Sequence, residues 1–166
     1  MSFTRAEALE KLMAHYQEPY RCARRTEEDS PLAATAFMHL VGERRLLSLA
    51  NVGIVESDDF VYLYSADTLT VPLLERCCSR ALEDGLARVD PNPNHQFSLI
   101  SVFILCDAIA PDAAAQLKKT KYHKEYKPAG SGWTDLRLAA IETGGKARVA
   151  NAMGKSLLQI YKSALR

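Results

Sequence analysis

One run of the chain constrains the fold more than any other. Phe97–Cys106 is apolar or β-favouring at nearly every position, and it lies between the breaker Asp90-Pro91-Asn92-Pro93-Asn94 and Pro111. A strand that is apolar without alternation has to be covered on both faces. It is therefore predicted at the centre of a sheet with a layer on either side. The longest apolar stretch, Ser98–Leu105, is strand-sized. It is far short of the roughly 18–20 residues a spanning helix needs, so no membrane partner is expected.

The flanking sequence supplies the layers. Thr4-x-x-Glu7 is a capping box, and Ala8, Leu9, Leu12 and Tyr16 follow at helical spacing, so a first helix should run until near Pro19. Residues 20–34 carry no period and read as a connecting loop or extended arm. Thr35–Leu40, Arg45–Val55 and Phe60–Ser65 read as three strands, turned at Gly42-Glu43 and at Ser57-Asp58-Asp59. Pro72 suits the first turn of a second helix reaching about Arg88. Pro111-Asp112 opens a third helix, expected to reach Lys124. Leu136–Ile141 and Ala147–Ala150 form a hairpin about Gly144-Gly145, and Asn151 is the expected N-cap of a last helix. The expectation is one α+β domain over 1–166, a mostly antiparallel sheet of about six strands with flanking helices, in the order α-βββ-α-β-α-ββ-α.

Charge is segregated along the chain. Residues 118–166 hold eleven Lys and Arg against three acids, whereas residues 1–117 hold ten against seventeen. Lys118, Lys121 and Lys124 would share a face if the third helix reached that far, which suggests a polyanion or nucleic acid as partner. The same lysines also suit an ordinary solvated helix end. The opposed charge also suggests self-association of an acidic face with a basic one, as a homodimer. Trp133 and Arg137 could frame a small-molecule pocket, the ring as a wall and the guanidinium as an anion clamp, with Asp135 an alternative partner for Arg137. His95, in a loop before the central strand, is the third candidate for such a pocket.

Much chemistry is excluded. There is no dinucleotide fingerprint, phosphate loop, nucleophile elbow or zinc-ligand spacing, so neither cofactor nor metal is expected. Glu56, Asp58, Asp59 and Asp107 lack the acid-x-Lys strand of a metal-dependent nuclease. The four Cys have no redox spacing and should be free thiols, mostly buried. The N-terminus shows no signal peptide, and a cytoplasmic compartment is expected.

The segment 97–155 carries Lys118…Lys121…Lys124-x-Tyr126, Gly132-Trp133…Leu136-Arg137-Leu138 and Asn151-x-x-Gly154-Lys155. In these residues it resembles a conserved bacterial family, a domain of unknown function. The resemblance implies no substrate, cofactor or catalytic residue. The function is left unknown, with a homodimeric binding or structural role as the leading expectation. Polyanion binding through 118–166, and a small-molecule enzyme with its pocket near His95, Trp133 and Arg137, are the alternatives.

Overall fold

The computed structural model describes residues 2–46 and 50–166. Helix α1 (Arg5–His15) opens on the expected capping box: Glu7 N–H donates to Thr4 Oγ1 at 3.1 Å and Thr4 N–H to the Glu7 carboxylate at 2.8 Å. Next come strand β1 (Arg21–Arg24), a single 3₁₀ turn at Glu27–Asp29, and the long strands β2 (Leu32–Leu46) and β3 (Ala50–Leu69). Helix α2 (Val71–Arg88) leads to β4 (His95–Ile109), and α3 (Pro111–Lys119) to β5 (His123–Glu125). Strands β6 (Trp133–Glu142) and β7 (Arg148–Ala150) precede helix α4 (Lys155–Ala164).

The seven strands among the described residues form one mixed sheet in the order β1-β2-β3-β4-β6-β5, with β7 also on β6. Strands β3, β4 and β6 are parallel to one another and the remaining pairings are antiparallel. The two parallel pairings follow from α2 and α3, which carry the chain back along the sheet between strands. The chain is thus α+β with a sheet that is mostly, but not wholly, antiparallel.

Strand β4 lies at the centre, as its composition demands. Val102, Phe103, Ile104 and Leu105 are all fully buried. Alternation sends Ile100, Val102 and Ile104, with Phe60, Tyr62 and Tyr64 of β3, to the face covered by α2 and α3. Phe103 and Leu105, with Val61 and Leu63, go to the face covered by α1 and α4. Helix α2 approaches β4 so closely that a Cβ on Gly85 would lie 2.7 Å from Ile100 Cγ1.

Several local expectations change. Within 20–34 the chain forms β1, because the edge of β2 at Ala34–Phe37 offers it backbone partners. The turns expected at Gly42-Glu43 and Ser57-Asp58-Asp59 are absent. Gly42 pairs with Val55, and Asp58 with His39, inside one continuous two-stranded ladder. The part of the expected Arg45–Val55 strand at 47–49 lies outside the described residues. Helix α3 stops at Lys119, where Thr120 N–H closes on the Gln116 and Leu117 carbonyls. The chain then pairs with the open edge of β6 instead of coiling on to Lys124. Gly154, not Asn151, caps α4. The buried Asn151 amide instead ties Leu138 N–H, Gly154 N–H and the Thr120 and Leu136 carbonyls together.

Candidate functional site

Two buried polar networks lie in the half of the sheet where β4 and β6 begin, one on each face. Asp58 and Asp59 are neighbours on β3, so strand alternation sends their carboxylates to opposite sides. Ser98 and Ser101, which interrupt the apolar run of β4, do the same.

On the α1/α4 face, Asp59 and Arg137 form an ion pair of 2.8 Å, with both side chains largely buried. Ser101 Oγ donates to Asp59 at 2.6 Å, and Tyr20 Oη donates to the other oxygen at 2.5 Å. Arg137 also donates to Ser101 at 2.8 Å and to Ser156 of α4 at 3.2 Å. Burial first, then the charge on Asp59, pushes the Tyr20 phenol upward, so it stays a donor. Every oxygen of the carboxylate is engaged, which suits a structural tie between β3, β4, β6 and α4 better than a reacting centre.

The α2/α3 face holds a linear chain. His95 Nδ1 lies 2.7 Å from the Ser131 carbonyl oxygen, and His95 Nε2 lies 2.7 Å from Ser98 Oγ. Ser98 Oγ donates to Asp58 Oδ2 at 2.7 Å, and Asp58 Oδ1 meets His39 Nδ1 at 2.5 Å. His95, Ser98 and Asp58 are buried, whereas the His39 side chain is 56% exposed. The loop that supplies Ser131 presses directly on His95. Gly132 has φ +80°, and a Cβ there would sit 2.6 Å from His95 Nδ1. Only glycine meets both conditions.

The exposed end of that chain opens into a cleft of about 1300 Å³ between β1 and the end of α2. Phe37 and Phe60 form its floor, in an edge-to-face pair with ring centroids 5.7 Å apart. Arg21, Arg25 and Arg88 line it, with Glu18, Asp58 and His39. Arg88 stacks on Phe37, its guanidinium carbon 4.4 Å from the ring centroid, while pairing with Asp84 at 2.8 Å. Cys22 also lines the cleft, but burial pushes its thiol up, and its Sγ lies 3.1 Å from the Tyr16 carbonyl oxygen as a donor. A thiol held in that way is not poised as a nucleophile.

The residues expected at a site are divided by the fold. His95 is not an exposed loop residue: it opens β4 and is 2% exposed. It belongs to the network under α2 and α3, whereas Arg137 belongs to the network under α1 and α4. Trp133 shares the Arg137 face, two residues beyond Asp135, and packs on Phe97 with centroids 6.0 Å apart. Asp135 pairs with His123 at 2.6 Å and not with Arg137. Lys118 ends α3, Lys121 lies in the following loop and Lys124 is on β5, so three different local structures hold them. Among the described residues no group of three or more His, Cys, Asp or Glu could hold a metal. Nor is any helix among them long and apolar enough to cross a membrane. Cys77, Cys78 and Cys106 are buried free thiols, each pushed up to about 12 by burial, and Cys22 is the exposed one.

His39, Ser98 and the three cleft arginines are not singled out by the sequence, which weighs Asp58 only as a metal-binding acid and a turn residue. Two signals were available: an acidic pair flanked by strand-forming residues, and two serines inside an otherwise apolar strand.

Residues 4–163 match the model of one family, Domain of unknown function (DUF8052), and the chain belongs to that family. No curated protein and no solved structure matches it.

Proposed function

We propose that the cleft binds a small anionic molecule carrying a flat ring, and that His39 acts on it as a general base. The observation that carries this reading is the His39–Asp58 pair at the end of an aromatic-floored, arginine-lined cleft. Asp58 accepts the Nδ1–H of His39, which fixes the tautomer and turns the Nε2 lone pair outward to take a proton. Phe37 and Phe60 offer a surface for a ring, and Arg21 and Arg25 supply positive charge for a phosphate or carboxylate. Covalent catalysis is disfavoured. Ser98 is wholly buried on the far side of Asp58, and Cys22 is held as a thiol.

The test is isothermal calorimetry with 5′-AMP, adenosine and inorganic phosphate as probes of ring and anion. AMP should bind more tightly than either part alone. Arg21→Gln with Arg25→Gln should weaken AMP at least tenfold and leave adenosine unchanged. Phe37→Ala should weaken both. If AMP does not bind the wild type at millimolar concentration, the reading is wrong.

A second observation favours self-association. Strand β1 pairs with β2 only at Ala34–Phe37, and β4 begins opposite Glu56. Beyond those points, among the described residues, no third strand pairs with β2 or β3, and on this overhanging ribbon Leu40, Val41 and Ile54 are about half exposed. Such a ribbon offers backbone and apolar partners to a second copy. Polyanion binding through 118–166 has less in its favour. Lys118, Lys121 and Lys124 are spread over helix, loop and strand, and Arg137 is spent on Asp59.

A further inference from the structure

The buried chain from Ser131 to Asp58 has more close contacts than a neutral histidine and a serine have hydrogens to fill. Three contacts link the Ser131 carbonyl, His95, Ser98 and Asp58, all at 2.7 Å, and each needs one hydrogen between its heavy atoms. A carbonyl oxygen only accepts, so His95 Nδ1 carries a hydrogen. Ser98 has a single hydroxyl hydrogen, and it lies toward Asp58 Oδ2. A neutral imidazole would then face the Ser98 oxygen with the bare lone pair of Nε2. Turning the hydroxyl toward Nε2 only moves the conflict, because two oxygen lone pairs would then meet at the Asp58 contact. Neutral His95 and Ser98 bring two hydrogens to three contacts.

We infer that this chain holds one proton beyond a neutral histidine and a carboxylate, that His95 carries it as an imidazolium, and that Ser98 relays it toward the His39 end of the cleft. Asp58 stays a carboxylate because it accepts from both Ser98 and His39, and hydrogen bonds to the charged form favour that form. The buried positive charge on His95 is thereby matched by a negative charge one hydroxyl away. Other polar or charged groups lie around the chain. Glu56, opposite His95 on β3, accepts from Asn92 Nδ2 at 3.1 Å. The Tyr126 ring stands edge-on to the imidazole at 5.7 Å. Arg88 of α2 lies in the cleft, at the His39 end.

The relay step balances. The His95 Nε2–H bond breaks as a Ser98 O–H bond forms, and the original Ser98 hydrogen passes to Asp58 Oδ2. His95 is left neutral and Asp58 becomes a carboxylic acid. An imidazolium at His39 is stabilised by a carboxylate partner and not by an acid, so the position of this proton sets how readily Nε2 of His39 accepts one. His95 and Ser98 are positioning residues in this scheme. What the relay does for a bound molecule rests on the function proposed for the cleft, whereas the proton itself is observable in the free protein.

The experiment is long-range proton–nitrogen correlation NMR on full-length protein with ¹⁵N-labelled histidine at pH 7.5, with His95 assigned by His95→Gln. Both ring nitrogens of His95 should carry hydrogen in the wild type. Ser98→Ala, which cuts the link to Asp58, should leave Nδ1 protonated and Nε2 bare, and Ser98→Thr should restore the wild-type pattern. A bare Nε2 in the wild type overturns the inference, and no variant is needed to see it. Two protonated nitrogens in Ser98→Ala overturn the relay through Ser98. Failure of AMP to bind touches neither outcome.

Discussion

At the scale of single residues, the exposed His123 shows how one hydrogen bond sets a protonation state. Its bond to Asp135 at 2.6 Å, with Glu125 adding to it, holds the imidazole above its ordinary 6.5. A group raised in the folded state contributes stability below its unfolded value, and that contribution is lost as the pH climbs through the raised value. The contribution is therefore complete below about pH 6.5 and fades above it. An NMR titration should place the His123 midpoint above that of a free histidine, and Asp135→Asn should bring it back down. An unchanged midpoint in the variant would assign the shift to something other than this pair. The same strand parity that gives Asp135 to His123 gives Arg137 to Asp59. The sequence left Arg137 with an open choice of partner, because Asp135 shares its face and Asp59 is distant in the chain.

At the scale of elements, capping and breaker residues were legible because their chemistry is local. The Thr4–Glu7 box, Pro72 and Pro111 all mark helix starts, since each satisfies or spares a backbone donor within three or four residues. The apolar centre at Phe97–Cys106 was equally legible. Phe103 is fully buried beneath α1, with its ring centroid 6.5 Å from that of Tyr16. Phe103→Ala should therefore cost about 3 to 5 kcal/mol in a denaturant melt, and a loss below about 1 kcal/mol would mean that the α1/α4 layer packs only loosely on the sheet. Turns were harder to read. Ser57-Asp58-Asp59 has turn composition because these side chains commonly bond their own backbone. Here Asp58 and Asp59 bond to Ser98, Ser101, Arg137 and His39 on other strands and to Tyr20 just before β1, and the long ladder of β2 with β3 overrides the local preference.

At the scale of the whole molecule, the overhanging ribbon is where the proposed self-association is tested. From Val41 to Leu46 it extends roughly 20 Å at the usual rise per residue. If two copies meet there, sedimentation should show a dimer whose fraction grows with concentration, and Val41→Lys with Ile54→Lys should give a monomer of unchanged melting temperature. A wild type that stays monomeric at 100 μM would remove this reading. By itself the sequence determined the α+β class, the buried central strand, most helix starts and the free state of the thiols. Those follow from periodicity, capping and composition, which act over a few residues. Tertiary structure alone decided that β3, β4 and β6 run parallel, that Asp58 and Asp59 serve different networks, and that His95 reaches His39 through Ser98. The physical reason is pairing across the sheet: Asp58 meets His39 and Ser98 at 19 and 40 positions away and Asp59 meets Arg137 at 78, and register, not sequence neighbourhood, selects them.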